Sequence, residues 1–257
     1  YNTWDIVPAA CLLLGDYGTN ASNSIISPLW DSYCVSDNIY ADVNNNDLPD
    51  IVFARMTAQN AAQLQVMVTK FLDYERTPPT SEYFYEHPVT ALGWQTERWF
   101  QICTEVIGGF WREVQGKDPI RVNAIYQGTP GSVWSTAPNT ATVVNYFGPS
   151  GLEYIPAQPS TLGGWSGGTA AMVNAAINNG AFMVQHRDHG YEQGWGEPDY
   201  SSTSINGLTN TDLTFVWSVN CLTGKYNYSS EVFSEKFHRY TYNGQNSGCV
   251  GINAASE

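Results

Sequence analysis

Short, nearly unbroken apolar runs alternate along this chain with stretches in which apolar residues return every three or four positions. Residues 9–14 form one such run and stop at Gly15-Asp16, as a buried parallel strand does with its loop at the carboxyl end. Residues 17–38, rich in Asn, Ser, Gly and Thr, read as a loop, and Ile51-Val52-Phe53-Ala54 as a second strand-like segment ending at Arg55. Across 58–76, apolar side chains recur at Ala61, Leu64, Met67/Val68 and Phe71/Leu72, which predicts an amphipathic helix stopped by Thr77-Pro78-Pro79. A strand is expected over 88–92, running into Gly93-Trp94-Gln95. A helix marked by Trp99, Ile102/Cys103, Val106/Ile107, Phe110 and Val114 follows it. Then come a strand over 122–126, a long irregular region over 127–165, and an Ala-rich helix over 169–179 capped by Gly180. Apolar runs at 181–184 and 213–219 read as strands, 231–240 as a helix and 249–252 as a last strand.

Strands alternating with helices predict an α/β fold of three layers, αβα, with a mostly parallel central sheet and helices on both faces. The polar, Pro-containing stretch 77–87 marks a boundary between two subdomains, 1–86 and 87–257. The chain starts at Tyr1 without Met and ends at Glu257 just after a strand-like run, so both subdomains are expected to belong to a longer protein.

Charge narrows the functional classes. With 11 Lys+Arg and a net charge of −13, the chain lacks the basic patches that give affinity for nucleic acid or anionic membranes. Its longest apolar runs, about seven residues, fall short of the roughly 20 a membrane helix needs. The five cysteines, Cys11, Cys34, Cys103, Cys221 and Cys249, are scattered with no CxxC pair, which disfavours a zinc ribbon or redox motif. Cys11 and Cys103 sit in apolar surroundings and are expected in the core.

Two strand ends carry the chemistry. The run at 181–184 opens into His186-Arg187-Asp188-His189-Gly190, and the run at 213–219 ends in Asn220-Cys221. A thiol and an imidazole delivered at neighbouring strand ends form a cysteine nucleophile with its base. Gly190 lets the backbone approach closely, so its N–H and that of Cys221 could serve as an oxyanion hole. By spacing alone Cys221 also fits a buried structural cysteine, and His189 a surface turn. His186, Asp188 and His189 raise a distant rival, since His-x-Asp-His resembles half of a zinc-hydrolase motif, although Val184 stands where its first His would be. A third pattern is Asp42-x-Asn44-x-Asn46-Asp47-x-x-Asp50, whose alternating oxygen side chains suit a structural calcium ion or, equally, an Asn-rich turn.

Taken together, these residues resemble the gingipain-like cysteine peptidases, peptidase family C25. His189-Gly190-Tyr191-Glu192-Gln193-Gly194-Trp195-Gly196-Glu197-Pro198 looks like the family's H-G-x-x-x-x-W-x-[DE]-P pattern, and Asn220-Cys221-Leu222-Thr223-Gly224 resembles its nucleophile segment. Phe233-Ser234-Glu235, Leu13-Leu14-Gly15-Asp16 and the stretch from Asp37 to Arg76 extend the similarity over nearly the whole chain. The resemblance implies a caspase-like α/β fold in which 87–257 is the catalytic subdomain. It implies a secreted endopeptidase that passes through a thioester acyl-enzyme, with Cys221 attacking the scissile carbonyl and His189 handling the proton. It also implies protein or peptide substrates, structural calcium at the Asp42–Asp50 loop, no organic cofactor, and export by the type IX route of Bacteroidetes-type bacteria.

Where this chain departs from the pattern, the expectations change. The family's third catalytic acid falls at Trp94 or Gln95 here, and Glu97 is the nearest carboxylate, so Glu97 is expected to orient His189. The small residue that the family places two positions before the His, near the substrate pocket, is Arg187 here. Arg187 and Trp195 are the expected substrate contacts, and Arg187 makes an acidic or polar P1 residue conceivable. Two further functions remain open on these residues: a sortase-like transpeptidase using the same Cys–His pair, and a non-catalytic surface domain that keeps the fold.

Overall fold

The computed structural model describes residues 3–165 and 167–257. Strand β1 (Ala10–Leu14) leads into a small antiparallel ribbon, β2 (Leu29–Trp30) with β3 (Cys34–Val35), and one helical turn, α1 (Asn38–Ala41). Strand β4 (Val52–Met56) then pairs with β1 in parallel, from Ala10 opposite Val52 to Leu14 opposite Met56. Helix α2 (Ala61–Arg76) begins where the Asn60 side chain accepts a hydrogen bond from Gln63 N, which satisfies one of the orphan amides of the first turn. The stretch expected as plain boundary holds a short helix, α3 (Glu82–Glu86), anchored by the fully buried Phe84.

A second sheet starts at β5 (Val89–Trp94) and continues through α4 (Phe100–Glu113), β6 (Ile120–Ile125), α5 (Thr140–Phe147), α6 (Ala170–Asn179) and β7 (Met183–Arg187). After β7 comes the hairpin β8 (Gly190–Tyr191) with β9 (Gly194–Trp195), then β10 (Thr214–Val219) and α7 (Phe233–Arg239). The hairpin β11 (Thr241–Tyr242) with β12 (Gln245–Asn246) and the last strand, β13 (Cys249–Ala254), complete the chain. The five strands lie in the order β13-β10-β7-β5-β6, all parallel.

Every residue of β5 is buried, as a central parallel strand covered on both faces requires. One face packs Val89, Ala91, Val184 and Val216 against Val173 and Ile177 of α6 and Phe233 and Phe237 of α7. On the other, Leu92 and Trp94 pack against Ile102 of α4 and the tryptophans Trp134 and Trp165. Helix α5 corrects the expectation of an irregular 127–165 region; its Val143, Val144 and Phe147 lie against that tryptophan cluster. Two turns between Asn139, in the left-handed region at φ 65°, and Gly148 are too short for a periodic signal. Cys103 is exposed and Cys11 half-buried, so neither is a core residue; Cys249 is the buried one.

Strand β6 follows β5 on one side, whereas β7 returns to the other side of β5, and β10 and β13 extend from there. The carboxyl ends of β5 and β7 therefore flank a topological switch point, where open parallel sheets form their crevices.

Candidate active site

Parallel pairing puts Val219 of β10 opposite Arg187 of β7, so both strands leave the sheet together. His189 and Cys221 each lie two residues beyond that pair, and both are exposed. Gly190 packs directly on the other strand end: a Cβ there would stand 2.6 Å from Asn220 Oδ1 and 2.8 Å from Cys221 O, so no other residue fits. Immediately after Cys221, Leu222 holds φ at +63°, a left-handed conformation that is costly for a branched residue and turns the chain sharply away from the strand. The turn rests on buried polar groups. Asn220 Nδ2 donates to His186 Nδ1 at 2.8 Å and to Ser218 Oγ at 2.8 Å, and Asn220 Oδ1 accepts from Thr223 Oγ1 at 2.7 Å. No hydrogen bond joins the Cys221 thiol to His189 among the described residues.

The group that touches His189 is Gln95, one residue beyond β5. Its Oε1 lies 2.8 Å from His189 Nε2. An amide oxygen only accepts, so Nε2 carries the proton and the neutral ring keeps its lone pair on Nδ1. Glu97, the expected orienting acid, does not reach the imidazole; its carboxylate accepts from Gln95 Nε2 at 2.7 Å and so fixes which way the amide faces. Tyr126 OH reaches both Gln95 Oε1, at 3.1 Å, and Asp188 Oδ1, at 2.8 Å. Asp188 is buried, and its other oxygen accepts from Glu197 N at 2.8 Å. Burial raises the pKa of Asp188, and its hydrogen bonds from Tyr126 and the backbone offset part of that shift. Gly93 leaves the space for this pair: a Cβ there would meet Asp188 Oδ2 at 2.5 Å. Phe100, at the start of α4, sets its ring edge-on to His189 with centroids 5.2 Å apart. In the sequence Gln95 stood out only as one of two positions matching the family's third acid, Asp188 only as part of a zinc-like motif, and Tyr126 left no signal.

After Glu97, a second expected role is corrected. Trp195 is fully buried, stacks on His186 with centroids 4.1 Å apart and donates Nε1–H to Ser218 Oγ at 2.8 Å; it belongs to the core and is closed to substrate. His186 is likewise fully buried, and burial lowers its pKa to about 3. Its Nδ1 accepts from Asn220 and its Nε2 donates to Glu197 O at 3.1 Å. With both nitrogens engaged, His186 does not join Asp188 and His189 in a zinc site.

The acidic loop is a self-bonded turn. Asp42 accepts from the N–H groups of Asn46 and Asp47, and Asp50 from those of Val43 and Asn44 and from the Asn44 amide. Desolvation raises the pKa of Asp42, but the backbone hydrogen bonds together outweigh it and leave the pKa lowered. Among the described residues, no three His, Cys, Asp or Glu side chains converge as a metal cage. A calcium ion here would draw on Asp42, Asp50 and the amide oxygens of Asn44 and Asn46, taking the carboxylates from the loop's own amides.

A five-stranded parallel sheet between helices, with an exposed thiol and an amide-bonded imidazole at the ends of adjacent strands, is a caspase-like α/β fold. The model of peptidase family C25 matches residues 1–257, and the chain belongs to that family. Gingipain R2 of Porphyromonas gingivalis is 33% identical over 82 residues, 32% of this chain and 11% of that protein. Lys-gingipain of the same organism is 22% identical over 206 residues, 80% of this chain and 10% of that protein. In fold, the chain is similar to the crystal structure of the Arg-specific cysteine proteinase gingipain R, with a TM-score of 0.69 at 18% identity over 96% of this chain and 48% of that one. The chain therefore spans only a part of the relatives it matches.

Proposed function

We propose that this chain forms the catalytic unit of a cysteine peptidase in which Cys221 cuts a peptide bond with His189 as its base. The supporting observation is the joint exit of β7 and β10 from the sheet, which brings an exposed thiol and an exposed imidazole to neighbouring strand ends, with Gly190 packed against Asn220 and the Cys221 carbonyl. The thiol proton passes to His189 Nδ1 as Cys221 Sγ attacks the scissile carbonyl carbon. The N–H groups of Gly190 and Cys221 stabilise the oxyanion. The C–N bond breaks as His189 returns the proton to the leaving amine, and a thioester remains. Water, deprotonated by the same ring, then attacks the thioester and releases the acid and the thiol. Because thiol and ring are not hydrogen-bonded beforehand, substrate binding has to close the gap, as in many free enzymes. Gln95 keeps the proton on Nε2 and the accepting lone pair on Nδ1. From the family resemblance we also propose that the protein acts outside the bacterial cell or at its surface.

The test is hydrolysis of a labelled protein substrate by Cys221→Ala and His189→Ala, with circular dichroism to check folding. Each substitution is expected to lower the rate by about 10³-fold or more. Activity retained in folded Cys221→Ala overturns the proposal. With an amine nucleophile added, hydrolysed product alone is expected; amide product would make the enzyme a transpeptidase using the same acyl-enzyme. A wild-type chain that no Cys-directed acyloxymethyl ketone labels at Cys221 would be a non-catalytic domain.

A further inference from the structure

We infer that Arg187 is the specificity residue of this site and selects substrates with Asp or Glu at P1, the residue on the acyl side of the scissile bond; the inference rests on the peptidase reading. Arg187 and Val219 face each other across β7 and β10, each two residues before a member of the proposed dyad. Alternation along the strands sends their side chains to the α4 face, away from Val184, His186 and Val216. There the Arg187 guanidinium lies over the Phe100 ring, 4.3 Å from its centroid, and the same ring is edge-on to His189. Val219 and, one step further back, Trp217 are 42% and 44% exposed on this face, so an apolar wall stands open beside the cation.

The Arg187 charge has no carboxylate to neutralise it. Nη1 donates to Val219 O at 3.2 Å and to Asp188 O at 3.4 Å, which fixes the group in place without cancelling its charge. Three other arginines that are at least partly buried each hold an acid, Arg55 with Asp37, Arg121 with Glu105, and Arg239 with Asp16, Glu231 and Glu235, whereas half-buried Arg112 donates only to Tyr154 O. Among the described residues no acidic side chain lies within ion-pair distance of Arg187. Cys103 also lies beside it; the residue is partly open to solvent, yet desolvation of its thiol raises the pKa, and the Arg187 charge pulls it back only in part. A half-buried guanidinium, pre-oriented by two carbonyls and an aromatic face, suits a carboxylate on a short side chain, because its planar donors match both oxygens. The same charge repels a Lys or Arg at P1, so both attraction and exclusion act in one direction.

The experiment is a panel of fluorogenic peptides that differ only at P1 (Asp, Glu, Gln, Leu, Lys, Arg), read as kcat/KM for the wild type, Arg187→Gln and Arg187→Glu. The wild type is expected to prefer Asp or Glu over Lys and Arg by about 100-fold. Arg187→Gln is expected to lose most of that preference, and Arg187→Glu to turn it towards Lys and Arg. Should the Glu variant fail to fold, the wild-type profile and Arg187→Gln decide. Cleavage after Lys, Arg or Leu with a profile unchanged in Arg187→Gln overturns the specificity assignment and leaves the peptidase standing. No cleavage of any peptide, together with an unlabelled Cys221, overturns both.

Discussion

His189 is held by an amide where a carboxylate was expected. Gln95 Oε1 can accept the Nε2 proton, yet it brings no charge to stabilise the imidazolium that forms when the thiol is deprotonated. Two carboxylates stand one group further out, Glu97 behind the Gln95 amide and Asp188 behind the Tyr126 hydroxyl. Gln95→Glu places a carboxylate directly on Nε2, where its charge stabilises the imidazolium over the neutral ring. The acid limb of the kcat/KM–pH profile is then expected to move to higher pH, because the base must be neutral to accept the proton. Gln95→Ala removes the acceptor and is expected to lower kcat by about 3–10-fold with KM little changed, the worth of one hydrogen bond. An unshifted profile in Gln95→Glu would mean that Gln95 only fills space. Nothing in the sequence separates Gln95 from Trp94 or Glu97 as the partner of His189. All three lie near one strand end, and only the direction in which each side chain leaves the backbone decides between them.

Two strand ends and the turns that leave them form the site. Both were legible, since short apolar runs that stop at His-Gly and Asn-Cys place those residues at the carboxyl edge of a parallel sheet whatever the sheet's order. Their adjacency was not legible, because it depends on β7 and β10 pairing with Val219 opposite Arg187. Gly190 shows how tight the pairing is. Gly190→Ala drives a Cβ into Asn220 and the Cys221 carbonyl, and is expected to destabilise the chain by about 1–3 kcal/mol. If the displacement approaches 1 Å, kcat is expected to fall by about 100-fold. Urea denaturation and steady-state kinetics on the same preparation check both; a normal kcat would show that the two strand ends tolerate separation. Helix α5 and Trp195 illustrate the opposite outcome. Two turns of helix lie below the length at which periodicity speaks, and a tryptophan after a site histidine reads the same whether it faces substrate or core.

Across the whole molecule, pH acts through two buried histidines. Burial lowers both His186 and His238 to about 3, against an ordinary value of about 6.5. The unfolded chain then binds protons that the folded chain refuses. The stability these groups contribute is complete above about pH 6.5 and is lost as pH falls towards 3, at about 1.4 kcal/mol per pH unit for each histidine. Glu235, buried and sharing Arg239 with Asp16, is raised and has the opposite sign: its contribution is present below the ordinary carboxylate range and is lost as pH climbs. His238→Gln isolates one histidine. The slope of unfolding free energy against pH, from urea melts at pH 6.5 to 4, is expected to fall by about 1.4 kcal/mol per unit relative to wild type. Parallel slopes would mean that His238 titrates normally in the folded state.

The sequence by itself determined the alternation of strand and helix, the family to which the chain belongs, and the two residues proposed as nucleophile and base. Each is a local or near-local property: apolar period, terminating residue and motif spacing survive without knowledge of what packs on what. Tertiary structure alone decided that Gln95 meets His189, that Trp195 and His186 turn inward, and that Arg187 stands without an acid beside the open wall of Val219. Those outcomes depend on which face of a strand each side chain leaves and which strands become neighbours. Both are set by burial of the two sheet faces against α4, α6 and α7, and one chain position carries no record of either.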